Sequence, residues 1–471
     1  MKRIFVLILI IFLLRINTAS AETLVYKVVL EKAVKNSYDL KAAEIDVKIA
    51  QTQIKEARAE YLPIISANYN AQYDKDLTDG MSTLTSVGDS IVTNSTRYVN
   101  SLSGGIQYNL YDFGVRKKRL NIAKKDKTQK ETIYTHNLRD LKLNLSQIYT
   151  KALLANRELK SNQELLDLNK ALFSMYEKLY DSGAARKTDL ANQALQVAVL
   201  INKTDDLRTE LNKALKDLSY YTKENYTSAD KILNLFDEED GIVPISNSAP
   251  IKLDIKETEI LNTENLPEYK EYQLEIEKKK EELSLLKRQN LPQFRFYTNY
   301  YLYGIDKESY FDTFSDFNDR SLTFRIASTL PVFDGGKNQA QRERAKLQIE
   351  RLEIERDKKL EEVKNTYQKA YEEARYANEK LENQSKALIL VEDKITMLEK
   401  LNNQQLIDKI SYLKEKSDLI TQKFDYERTR INSEEAAYKL RILAEASEPL
   451  PKLNKSQKVK SLRKTKQPGN P

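Results

Sequence analysis

The chain has 471 residues, of which 31% are charged, with only 11 Gly, no Trp and no Cys. The missing Cys excludes disulfides, Cys-ligated zinc, thiol catalysis and a Cys-borne lipid anchor, and the composition favours long exposed helices over a compact α/β core. The formal charge of +7 does not point to nucleic acid: ten cations lie in the two ends, and the stretch between them is near −3.

Lys2 and Arg3 precede an apolar run from Ile4 to Leu14, and Ala19-Ser20-Ala21 has the A-x-A cleavage pattern. Residues 1–21 read as a removable secretory signal, because the apolar run is too short to span a bilayer. The mature chain is then expected to start at Glu22. A helix is predicted from about Thr23 to Leu62, with Leu40, Ala43, Val47, Ala50, Ile54 and Ala57 at helical spacing; Pro63 ends it. Alternation follows over about 64–75 and again over about 99–111, with a loop rich in Thr, Ser, Asp and Gly between. Tyr111-Asp112-Phe113-Gly114 closes this unit. A helical stretch then runs from about 115, breaks at Asp181-Ser182-Gly183 and resumes to about 221.

Residues 223–263, with Phe236, Pro244 and Pro250, read as an irregular linker. The cadence then repeats. A helix from about 264 stops at Leu291-Pro292, and alternating runs cover about 293–304 and 320–333. Phe333-Asp334-Gly335-Gly336 closes the second unit, and a helical stretch from about 338 breaks near 402–408 and resumes to about 446. Residues 447–471 form a basic tail that reads as disordered, with a membrane-surface role as its second reading. The two Leu-Pro sites lie 229 residues apart and the two Asp-Gly sites 222. The chain thus reads as two repeats, 22–222 and 264–446.

Each alternating run has two unlike faces. Ile65, Ala67, Tyr69, Ala71 and Tyr73 oppose Ser66, Asn68, Asn70 and Gln72; Leu102, Ile106, Tyr108 and Leu110 oppose Ser101, Ser103, Gln107 and Asn109. In the second unit Phe294, Phe296, Tyr300 and Leu302 oppose Arg295, Tyr297 and Asn299, and Leu322, Phe324 and Ile326 oppose Thr323 and Arg325. Strands of about ten residues with an apolar face and a face of small polar residues match a transmembrane barrel, lipid outside and water inside. Four strands cannot close alone; three chains would give twelve. A soluble α+β protein with an amphipathic hairpin is the plainer alternative.

In this order of elements, over about residues 22–445, the chain resembles the TolC family of outer-membrane efflux and secretion channels. Leu330-Pro331-Val332-Phe333-Asp334-Gly335-Gly336 is similar to a family signature. The turn from Tyr180 to Leu190, with Gly183 and Asp189, is similar to the family's hairpin tip. The resemblance implies a mostly α protein with a transmembrane β part. Its homotrimer would join a twelve-stranded barrel in the outer membrane to a periplasmic helical barrel of coiled-coil hairpins about 100 Å long. It also implies a periplasmic adaptor, an inner-membrane pump, ABC or proton-driven, and passive conduction in tripartite efflux or type I secretion. A periplasmic coiled-coil adaptor without a pore is the competing reading.

No catalytic constellation, cofactor or metal site is expected. The single His, His136, reads as a surface helix residue. Arg295 and Arg325 fall on the predicted lumen face, where they serve barrel solubility and packing or impart a mild preference for anions. At the second tip, with Asp408 taken as the counterpart of Gly183, Lys414 stands where Asp189 stands in the first, and Ser417 is the next candidate position. A simple carboxylate ring is therefore not expected there, although Glu415 and Asp418 are adjacent. Asp408 is expected in a turn where Gly is easiest.

Overall fold

A computed structural model describes residues 23–75, 82–84, 90–92, 97–226, 231–235, 266–306, 308–315 and 319–445. The signal segment 1–21, most of the 223–263 linker and the 447–471 tail lie outside the described residues.

The chain begins with β1 (Thr23–Leu24), α1 (Tyr26–Asn36) and α2 (Tyr38–Ala59). The single helix expected over 23–62 is thus interrupted. Ser37 leaves the helical region (φ −56°, ψ 127°), and its Oγ accepts the Leu40 N–H at 3.3 Å, so it caps the second helix. β2 (Ile64–Asp74), β3 (Ser82–Leu84), β4 (Ser90–Val92) and β5 (Arg97–Tyr111) follow. β3 and β4 pair as a small antiparallel ribbon in what reads from sequence as loop.

α3 (Val115–Asp181) and α4 (Lys187–Thr222) come next, then β6 (Lys231–Ile232) and α5 (Pro267–Gln289). β7 (Gln293–Asp306), the short α6 (Asp312–Ser315), β8 (Asp319–Thr329), α7 (Lys337–Asn403) and α8 (Lys409–Glu445) complete the chain. β8 stops four residues before the expected 333, because Pro331 has no N–H to continue a ladder. α3 and α7 have 67 residues each, about 100 Å of helix at 1.5 Å per residue. Among the described residues no helix is apolar enough to cross a membrane.

Two compact units form, and neither is one of the halves read from sequence. The first is built from the described parts of 1–44, 132–270 and 357–471, the second from 45–131 and 271–356. The first unit holds the main apolar core: Tyr26, Val29 and Ala33 of α1 pack with Leu145, Tyr149 and Leu153 of α3, Leu215 and Leu218 of α4, and Ile431 of α8. β1 pairs in parallel with β6 beside it. The buried Tyr149 Oη lies 2.8 Å from the carbonyls of both Leu24 and Leu233, tying both segments to α3. The second unit contains the large sheet, in the order β2-β5-β7-β8 and antiparallel throughout. There α5 meets α3 through Lys118–Glu281, Lys125–Glu277 and Lys278–Asp126 ion pairs.

Candidate functional site

Directly paired residues in a sheet share a face, and the register sets a mainly apolar face against a polar one, with Asn100 and with Arg320, paired with Leu302, on the apolar side. One face carries the rows Ile65–Ile106–Thr298–Phe324 and Ala67–Gly104–Tyr300–Leu322, with Tyr108–Phe296–Ile326 below. The other carries Asn68–Ser103–Tyr301–Ser321 and Ser66–Gly105–Asn299–Thr323. Among the described residues no protein core lies over these rows of the apolar face: Ile65 is 75% exposed, Leu322 58%, and Phe324 and Ile326 67% each. Fully burying each such side chain is worth about 1.5–3 kcal/mol.

Aromatic residues lie at both ends of this apolar face, with Tyr69 and Tyr300 between them. Tyr73 stacks on Tyr98 at 4.7 Å at the end away from the helices. Tyr108, Phe296 and Phe324 lie toward the other end, the last two at 6.4 Å. Tyr98 and Tyr108 are ten residues apart on β5. That is about 33 Å of strand, or about 25 Å of height at the usual barrel tilt, the height of an outer-membrane apolar band.

Arg295 and Arg325 lie on the polar face, paired with Asn109 and Ala327, and with Tyr297, respectively. The Arg325 guanidinium sits 5.1 Å from the Tyr297 ring centre, and Arg295 donates to Gln293 Oε1 at 3.1 Å.

Two Asp residues turn strands into long helices. Asp112 accepts the Gly114 N–H (3.0 Å), the Arg116 N–H (3.0 Å) and the Arg116 Nε–H (2.7 Å). Asp334 accepts the Gly336 N–H (3.1 Å) and the Asn338 N–H (2.9 Å). Each satisfies N–H groups that the first helical turn cannot pair internally. The two residues after each Asp are left-handed: Phe113 and Gly114 at φ 52° and 84°, Gly335 and Gly336 at 67° and 81°. At Gly114 a Cβ would also come within 2.6 Å of Arg288 Nη1.

The hairpin tips in the first unit correct one expectation. At the first tip Gly183 is left-handed (φ 75°), and the Ala184 N–H donates to the Leu179 carbonyl. At the second tip the left-handed residue is Gln405 (φ 56°), and the Leu406 N–H donates to the Leu401 carbonyl. The counterpart of Gly183 is therefore Gln405, 222 positions on, and not Asp408. Asp408 corresponds to Arg186, the residue that opens the outgoing helix, and Asp189 corresponds to Ser411. The carboxylate has changed places. Asp189 reaches back to the Arg186 N–H at 3.4 Å, whereas Asp408 reaches forward to the Ser411 N–H at 2.9 Å. Hydrogen bonds from Ser411, hydroxyl and backbone, hold the Asp408 carboxyl below its ordinary range.

Charged side chains near the second tip are engaged within the chain. Lys414 Nζ donates to Tyr176 Oη on α3 at 2.7 Å. Glu415 pairs with Lys394 at 2.7 Å, and Ser417 Oγ accepts from Asn169 at 3.5 Å. Asp418 is exposed. Beneath them Leu172, Leu398, Tyr412, Leu413 and Leu419 form a core drawn from both hairpins.

Residues 29–222 match the family model described as outer membrane efflux protein. No curated protein matches the chain. Among solved structures, CusC is 15% identical with a TM-score of 0.69, over 90% of this chain and 91% of that one. The CmeC outer membrane channel of Campylobacter jejuni is 15% identical with a TM-score of 0.68, over 93% and 88%. VceC, an outer membrane protein of Vibrio cholerae, is 13% identical with a TM-score of 0.66, over 90% and 95%. The fold is the one these proteins share.

The first unit also holds a buried ion pair that sequence spacing did not reveal. Arg139 of α3 donates to Glu268 of α5 at 2.6 Å, with side chains 11% and 7% exposed. Burial pushes the Glu268 carboxyl up, but the hydrogen bond and charge of Arg139 outweigh it and hold the group below its ordinary range. His136 is half-buried rather than a plain surface residue, with Nε2 3.5 Å from Asp140. It shares a cleft of about 290 Å³ with Arg139, Glu268, Lys359 and Glu362. Arg139 and Glu268 lie 129 residues apart, so only the fold brings them together.

Proposed function

We propose that this protein is an outer-membrane exit duct. Three copies close a twelve-stranded barrel, and the helical hairpins continue it as a tunnel through the periplasm. The observation that carries this reading is the four-stranded sheet with one mainly apolar and one polar face and, among the described residues, no core over the apolar one. Open edges of such a sheet are liabilities in water. β2 and β8 run in opposite directions, so joining the β8 edge of one copy to the β2 edge of the next keeps every pair antiparallel. The number three follows the architecture of the efflux-protein family. Within the chain, the constant spacing of 222 between the Asp caps and between the tips supports an internal repeat.

In this reading the hairpin tips form the periplasmic entrance and dock on an adaptor, and an inner-membrane pump supplies the energy. Tripartite efflux and type I secretion both fit such a duct. The entrance lacks a simple carboxylate ring: Ser411 replaces the counterpart of Asp189, and Glu415 is neutralised by Lys394. Gly183, Asp189, Asp408, Lys414, Ser417 and Asp418 are its candidate residues, and Arg295 and Arg325 line the exit. Cell fractionation followed by planar-bilayer recording tests the proposal. Trimers in the outer-membrane fraction that conduct ions support it. A water-soluble periplasmic form without conductance sinks it and favours a pore-less adaptor.

A further inference from the structure

Residues 308–315, in the connection between β7 and β8, fold back onto the sheet. Their short helix, α6, packs on β5 and β7. Beneath it lies Asn100, an amide on the apolar face of β5, fully buried. Asn100 Oδ1 accepts the Tyr69 hydroxyl at 2.9 Å, and its Nδ2 donates to Thr313 Oγ1 at 2.5 Å. Thr313, also fully buried, donates its hydroxyl to the Tyr310 carbonyl at 2.6 Å. Tyr310 Oη in turn lies 2.8 Å from Tyr69 Oη. An amide bare on a lipid-facing surface would lose its hydrogen bonds at a cost of several kcal/mol. Here the loop provides all of its partners beyond Tyr69, so loop and amide hold each other in place.

The outer side of this loop is aromatic. Phe311 is 77% exposed and Phe314 48%, and the Tyr310 ring packs edge-on against both at 5.6 Å. The same loop meets Tyr98 through Tyr310 at 6.4 Å, which sets it beside the aromatic band at the end of the sheet away from the helices. Acidic Asp306, Glu308, Asp312 and Asp319 flank it in sequence. Asp306 accepts the Glu308 and Ser309 N–H groups at 2.7 Å each, holding the turn that starts the return. Exposed aromatics next to an apolar sheet face, with carboxylates on either side, fit the headgroup–acyl boundary of a bilayer, where aromatic side chains concentrate. They do not fit the acyl interior.

We propose that the β7–β8 loop is a fixed flap on the lipid side of the barrel. Asn100 pins it to the sheet, and Phe311 and Phe314 enter the outer leaflet at the headgroup–acyl boundary. This rests on the reading of the apolar face as lipid-facing. The occupant is lipid because the flap continues that face; a second protein chain covering Phe311 is an outcome the test separates.

The chain has no Trp, so single reporters are unambiguous. Phe311→Trp and, as a control within the apolar band, Phe324→Trp are made in the full chain. Each is reconstituted in phosphatidylcholine vesicles with and without bromine on the acyl chains near the carbonyl. The expected result is blue-shifted emission from both reporters, loss of intensity for both in brominated lipid, and little quenching of either by aqueous iodide. Adding Asn100→Ala is expected to restore iodide quenching at the Phe311→Trp reporter and leave the Phe324→Trp reporter unchanged. Iodide quenching at position 311 without bromine quenching, while position 324 is bromine-quenched, overturns the flap and leaves the lipid-facing sheet standing. A blue shift at 311 that bromine does not quench means protein cover and also overturns it. No bromine effect at either position overturns both readings.

Discussion

Leu102 and Ser103 are neighbours on β5 that pair toward opposite faces, Leu102 with Tyr69 and Leu302, Ser103 with Asn68 and Tyr301. Leu102 lies between the aromatic bands, four residues from Tyr98 and six from Tyr108, close to mid-depth. An Arg facing lipid at mid-depth costs about 2–4 kcal/mol. Three copies in the proposed trimeric barrel make that about 6–12 kcal/mol for Leu102→Arg. Ser103→Arg puts the same guanidinium into a water-filled lumen beside Tyr301, on the face that already carries Arg325, and is expected within about 0.5 kcal/mol of the parent. Urea unfolding of the protein folded into phospholipid vesicles measures both, with recovery in the outer-membrane fraction as the cellular counterpart. Equal losses from the two substitutions, or a larger loss from Ser103→Arg, would refute the assignment of lipid to the apolar face.

Arg139→Ala leaves Glu268 buried without its hydrogen-bonded partner, with only His136 4.0 Å away, and is expected to cost about 3–5 kcal/mol in urea unfolding at neutral pH. Because the folded-state pKa of Glu268 is lowered, its stabilisation is complete above the ordinary Glu range and is lost as pH falls through the lowered value. Glu268→Gln should remove that acid-side loss, seen by comparing urea midpoints at neutral and acid pH. Gly183→Ala places a Cβ in open space but in the left-handed region, so it should cost about 1–2 kcal/mol per chain, and Gln405→Gly should recover a similar amount; hydrogen exchange at each tip reads the difference. Divalent and trivalent cations should block single-channel current weakly; strong block abolished by removing Asp418 or Glu415 would contradict the reading of the entrance. Arg295→Glu with Arg325→Glu should shift the reversal potential in a salt gradient toward cations.

Periodicity carried most of the fold. Period-two runs bounded by Pro63 and by Asp112 locate β2 and β5 to within two residues, since alternation survives wherever one side of a strand meets a different medium from the other. The long helices α3 and α7 were equally plain. The break at Ser37 was hidden because one capping residue does not disturb apolar spacing on either side. The tip register is legible in the sequence. The spacing of 222 that relates Asp112 to Asp334 also relates Gly183 to Gln405. Asp408 stands three positions beyond Gln405, and its carboxylate caps the outgoing helix. Asn100, Tyr176 with Lys414, and Arg139 with Glu268 had no sequence signal, because each is defined by a contact between segments far apart in the chain.

Ion conduction by the reconstituted full-length protein bears most directly on the duct. The expected result is discrete single-channel steps in a planar bilayer from a trimeric species extracted from outer membranes. A protein that stays soluble in the periplasmic fraction and leaves the bilayer silent would contradict it.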